Sequence, residues 1–161
     1  ADRFFGFVHP EDDISCCFEG FNNETDMESP YVYHFAGRHD RLSEVVDGGL
    51  TYMFTEGRGG VPGNNDSGGL CSCYLWNALG IFPVSGQDRM IIGTPRVRRA
   101  RLNLANGNTF TIRKYGHGIY VKEALFNGKR LPSLEITVHG MMAGGVLKLM
   151  MTEFPAFGRR E

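Results

Sequence analysis

The spacing of apolar residues changes once along the chain, near residue 86, and that change limits what it can fold into. Upstream, Leu42, Val45, Val46, Gly49, Leu50, Met53 and Phe54 recur at i, i+3, i+4, i+7, i+8, i+11 and i+12, the stripe of an amphipathic helix. Downstream, apolar and polar residues alternate in short runs parted by Asn-Gly and Gly-Gly pairs, the period of half-buried strands. Helices first and strands afterwards make an α+β chain with the two kinds segregated. Residues 1–85 are therefore expected to form a helical part and 86–161 an antiparallel β-sheet or sandwich segment.

At 161 residues the chain is long enough to bury a core. A net charge of -1 supplies no overall basic field, so neither nucleic acid nor an anionic membrane is expected as a partner. The longest apolar runs fall far short of the ~20 residues that span a bilayer. The opening Ala1-Asp2-Arg3-Phe4-Phe5 has no signal-peptide pattern and no initiator Met, so the chain reads as a piece of something longer. Cys16, Cys17, Cys71 and Cys73 lack zinc-site spacing and are expected to be free thiols, which leans toward a reducing, cytoplasmic compartment.

Several elements carry local signals. Ser29-Pro30 marks a helix start, and a short helix from Pro30 to Ala36 should stop at Gly37. Gly49 lies on the apolar stripe of the second helix, which predicts close approach by a neighbouring helix. A third helix from Gly69 to Leu79 is apolar nearly all round and is expected to be buried on most sides. Strands are expected at 88–94, 97–104, 108–114, 119–126, 133–139 and 145–151. A three-residue loop Ala105-Asn106-Gly107, with Gly107 left-handed, sets Leu102 opposite Phe110 and keeps the apolar faces matched.

Two segments have the residue types for chemistry. Gly63-Asn64-Asn65-Asp66-Ser67-Gly68-Gly69 puts two amides and one carboxylate at the start of a helix, whose dipole favours an ionised general base. The competing account is that Asp66 or Ser67 only caps the helix. Asn22-Asn23-Glu24-Thr25-Asp26-Met27-Glu28 gathers the oxygen donors a hard cation such as calcium takes, or is simply an acidic turn. The aromatics Tyr31, Tyr33, His34, Phe35, Tyr74 and Trp76 could face a sugar or fill a core. The five histidines form no metal-binding motif.

These segments, with Tyr33-His34-Phe35-Ala36-Gly37-Arg38, Trp76-Asn77-Ala78-Leu79-Gly80-Ile81-Phe82-Pro83-Val84 and the downstream Ile92-Gly93-Thr94-Pro95, Leu104-Ala105-Asn106-Gly107 and Leu125-Phe126-Asn127-Gly128-Lys129, resemble glycoside hydrolase family 92 in order and spacing. The resemblance implies a calcium-dependent, inverting exo-α-mannosidase, of which this chain would hold the terminal helices of an (α/α)6 barrel and the closing strands. It implies Asp66 as general base, Asn64 and Asn65 as substrate-binding residues, and Asn23 and Glu24 at the Ca2+ site. Its partners would be α-mannoside glycans and the missing N-terminal part of its own enzyme. Many relatives carry two carboxylates in the base loop; here Asn65 stands beside Asp66 and cannot share the base role.

An inverting glycosidase also needs a protonated carboxyl group ~6.5–9.5 Å from the base. In the family that group lies upstream, and Glu11, Glu19 and Glu28 sit in no matching motif. The 161 residues alone are therefore expected to hydrolyse no mannoside. The alternative, from another class, is a stand-alone, non-catalytic glycan- or calcium-binding module.

Overall fold

The computed structural model of the chain describes residues 20–155. His9, Glu11, Cys16, Cys17 and Glu19 fall outside that range. Helices occupy the first part and two sheets the second, an α+β arrangement, although a strand at Ile81–Pro83 falls within the stretch expected to be helical and a short helix at Val138–Met142 within the β segment. The chain makes two compact units that divide between Leu75 and Trp76.

In the first unit, helix α1 (Glu24–Glu28) opens where the Asn23 side chain accepts a hydrogen bond from the Glu24 N–H at 2.9 Å. A 3-10 turn (Ser29–Tyr31) leads into α2 (Val32–Phe35). The start expected at Ser29 is thus displaced upstream: the acidic run is itself a helix, and the Ser29 hydroxyl donates to the Asp26 carbonyl at 3.0 Å. Gly37 does end the segment. At φ +70 it sends its N–H to His34 O at 3.1 Å while Arg38 N reaches Tyr33 O at 2.8 Å, the paired bonds of a Schellman motif.

Helix α3 (His39–Tyr52) buries Leu42, Val45, Val46 and Leu50 on the predicted stripe. Gly49 lies on that stripe as well, but what approaches it is a ring rather than a helix. The edge of Phe21 occupies the space a Cβ would need. Phe21 is held there from its backbone too, its N–H lying 3.3 Å from the Met53 sulfur.

Helix α4 (Gly69–Leu79) has the predicted bounds. Leu70 and Cys73 are buried, yet Tyr74 is 43% and Leu75 56% exposed, so the expected burial on most sides does not hold. The exposure falls on Cys71, Ser72, Tyr74 and Leu75, whereas Asn77, Ala78 and Leu79 in the last turn are buried.

The second unit holds strands β1 (Ile81–Pro83), β2 (Met90–Ile92), β3 (Arg99–Asn103), β4 (Thr109–Tyr115), β5 (Tyr120–Phe126), β6 (Lys129–Arg130), β7 (Glu135–Ile136) and β8 (Gly145–Thr152), with helix α5 (Val138–Met142) before the last. One sheet runs β1-β2-β7 and the other β3-β4-β8-β5-β6. The β3–β4 hairpin has the predicted register: Leu102 faces Phe110, and Gly107 sits at φ +85.

Two expectations here need correcting. The stretch 133–139 is a strand only at Glu135–Ile136; Thr137 then caps α5 by accepting the Gly140 N–H at 2.9 Å. The larger sheet is also mixed rather than antiparallel, because β8 pairs in parallel with β4. Passage through α5 lets the chain re-enter the sheet in the direction of β4, as a parallel pair requires. Ala100, Leu102, Phe110, Ile112, Leu147 and Leu149 point inward onto one hydrophobic core that includes Ile81 and Ile92.

Candidate functional site

The two segments singled out from sequence meet. The backbone N–H of Asn64 donates to the carbonyl of Asn22 at 2.9 Å, tying the glycine-rich loop to the residues just before α1. Gly63 makes this possible. Its φ is +54, and a Cβ there would run into the Asn22 backbone, so both conformation and space call for glycine. A second contact lies alongside: a methyl group on Gly69, where α4 begins, would sit 3.0 Å from Met27 Cε on α1.

Within the loop the roles divide between Asn65 and Asp66. The Asn65 Oδ1 accepts the Cys71 N–H at 3.2 Å, and its Nδ2 donates to Cys71 Sγ at 3.3 Å. Asn65 therefore satisfies one of the orphan donors in the first turn of α4. Asp66 and Gly68 bound a 3-10 turn in which Ser67 has a left-handed φ of 51, costly for a residue with a side chain. The Asp66 carboxylate is exposed and takes no hydrogen-bond or salt-bridge partner among the described residues. It does not cap the helix, and neither does Ser67.

Asn23 and Glu24 are exposed at the start of α1, beside Asn22. The Asn23 oxygen is engaged with the Glu24 N–H, and Glu24 presents its carboxylate outward. These hard oxygens suit calcium in kind, but calcium takes six to eight of them. Among the described residues no three His, Cys, Asp or Glu side chains converge as a metal-binding group. Asn23 and Glu24 can supply part of a coordination shell.

Phe54, Glu56, Gly60, Val61, Cys71 and Tyr74 line a depression of about 490 Å³. Phe54 and Tyr74 form one wall, with ring centroids 5.0 Å apart. Of the aromatics weighed from sequence, Tyr31 is buried, and that burial, with Cys73 alongside, pushes its phenol well above its ordinary pKa. Trp76 packs against the core of the second unit. Neither Glu56 at this depression nor Cys71 as the partner of Asn65 is signalled by the sequence, since neither spacing belongs to a known motif.

The model of the glycosyl hydrolase family 92 catalytic domain matches residues 11–153. The chain belongs to that family. It is 29% identical over 136 residues to an Arthroderma benhamiae protein named "Uncharacterized secreted glycosidase", covering 80% of this chain and 18% of that one. A family GH92 alpha-mannosidase from Bacteroides thetaiotaomicron, solved alone and with mannoimidazole, superposes with a TM-score of 0.81 at 22% identity, covering 86% of this chain and 19% of its own. The Family GH92 Inverting Mannosidase of Bacteroides thetaiotaomicron VPI-5482 superposes at 0.70 with 23% identity, over 80% of this chain and 18% of its own. At these identities the solved structures speak to the fold. The family 92 chain described here thus spans about a fifth of the length of these relatives.

Proposed function

We propose that the chain carries the general base and part of the cation site of an inverting, calcium-dependent α-mannosidase that hydrolyses terminal α-mannosides. The observation that carries this reading is the Asn64–Asn22 hydrogen bond, which puts the Asp66 loop and the Asn23-Glu24 pair side by side. Asp66, whose carboxylate no cap consumes, would take a proton from the attacking water in the transition state. Asn64 would contact the sugar, and so would Asn65, whose amide keeps one lone pair and one N–H beyond those used on Cys71. Asn23 and Glu24 would contribute oxygens to calcium. When bound, that ion supplies a positive charge against sugar hydroxyls and eases the approach to an oxocarbenium-like transition state.

The protonated carboxyl group that inversion requires, and the remaining helices of an (α/α)6 barrel, would come from the N-terminal part of the same enzyme. The name of the Arthroderma relative favours a secreted protein over the cytoplasmic setting suggested by the thiols. The test is stereochemical. Proton NMR of the full-length protein acting on an α-mannoside should show β-mannose forming first. Formation of α-mannose first, or no hydrolysis of any α-mannoside, would overturn the reading.

A further inference from the structure

Alternation in the larger sheet of the second unit turns one face to the core and the other outward. One row of the outer face crosses all five strands. Arg99 is the register partner of Arg113, Arg113 of Lys148, Lys148 of Leu125, and Leu125 of Arg130. Four of these five positions are cationic. With strands ~4.8 Å apart, the row runs straight for roughly 19 Å.

This arrangement is unfavourable for the sheet itself. Like charges directly opposite destabilise a strand pair, and the row has two such pairs in succession, Arg99 with Arg113 and Arg113 with Lys148. Arg130 is paired with Glu123 at 3.1 Å. No carboxylate among the described residues pairs with Arg99, Arg113 or Lys148. The Arg113 Nε is sealed from solvent and has no hydrogen-bond partner, which is rare for a buried donor. The net charge of -1 conceals this concentration of positive charge on one face.

We propose that the row binds a linear glycan bearing sulfate groups. A single-file line of cations matches an extended chain with anions at intervals, and the exposed guanidinium fork of Arg99 suits a sulfate's oxygens. Tyr115 lies two residues beyond Arg113 on the same strand face and is 40% exposed, which offers an aromatic surface to a sugar ring. Single-stranded nucleic acid calls for a succession of stacking aromatics; this row has none within it. The proposal does not depend on the hydrolase reading, and its test needs no turnover.

The test is titration of the full-length protein with a sulfated heparin hexasaccharide. Its fully desulfated counterpart, phosphatidylserine vesicles and a single-stranded oligonucleotide serve as comparisons, each at low and moderate salt. Binding should need the sulfates and weaken with salt. It should fall roughly tenfold for each cation removed in Arg99→Gln and Lys148→Gln. Lys122→Gln, at the bulge of β5 outside the row, should change affinity less than about twofold. Without ligand at low salt, Lys148→Gln should melt no lower than wild type, because it relieves a like-charge pair. The proposal fails if the intact protein does not bind the hexasaccharide, or if binding survives removal of both charges. It fails equally if vesicles or the oligonucleotide bind through the same residues as tightly.

Discussion

The amide of Asn65 is engaged at both ends by one residue: its oxygen accepts the Cys71 N–H at 3.2 Å, and its nitrogen donates to the Cys71 sulfur at 3.3 Å. That pair of bonds closes the loop over the 3-10 turn and fixes where Asp66 leaves the backbone. It also separates two jobs that the sequence left merged, because Asn65 serves the helix while the neighbouring carboxylate does not.

Asn65→Ala should therefore destabilise the protein by about 1–2 kcal/mol, since it orphans the Cys71 N–H. Asn65→Asp keeps an acceptor at the helix start and should recover most of that loss. Denaturant unfolding of both variants checks this. Equal stability of the alanine and aspartate variants would mean that the cap contributes nothing.

Gly49→Ala should cost roughly 1–3 kcal/mol, because the added methyl meets the Phe21 ring in a packed interior. Phe21→Leu should make room, so the double variant should be more stable than the sum of the two single losses predicts. A double-mutant cycle measures that coupling.

The Arg38 guanidinium grips both Asp40 oxygens, at 2.9 and 2.7 Å. That hydrogen bond, first among its causes, holds the Asp40 carboxyl below its ordinary pKa. A depressed folded pKa gives stability that is present above the unfolded value of about 3.9 and lost as pH falls through the folded one. The stability difference between wild type and Asp40→Asn should therefore be constant near neutrality and shrink as pH drops below about 4. Thermal melts across that range decide it, with a small effect expected because Arg38 is exposed.

Calcium removal should abolish mannosidase activity in the full-length protein. Glu24→Gln, which retains the side-chain shape but not the charge, should weaken calcium binding on the order of tenfold or more by calorimetry. If activity survives exhaustive chelation, Asn23 and Glu24 lose the role given to them.

Local patterns were legible in the sequence, and long-range ones were not. The stripe of α3, the bounds of α4 and the Leu102–Phe110 register follow from spacing that a few neighbouring residues determine. Gly49 announced a close neighbour, but only the folded chain names Phe21, which comes from far upstream. The parallel pairing of β4 with β8 could not be read, because strands alternate alike in either direction. The composition of Glu24–Glu28 reads as a cation-binding or acidic turn, and only the folded chain shows Asn23 capping it as a helix. At the site, each residue type was visible, but the hydrogen bond from Asn64 to Asn22 that brings them together was not.

The most direct test of the account is steady-state kinetics of Asp66→Asn in the full-length enzyme. A base that deprotonates water in the transition state should leave a kcat lower by roughly 10²–10⁴ with KM little changed. Folding should be nearly unaffected, because Asn65 supplies the cap and the Asp66 side chain has no hydrogen-bond partner among the described residues. A kcat close to wild type in a correctly folded Asp66→Asn variant would contradict the account.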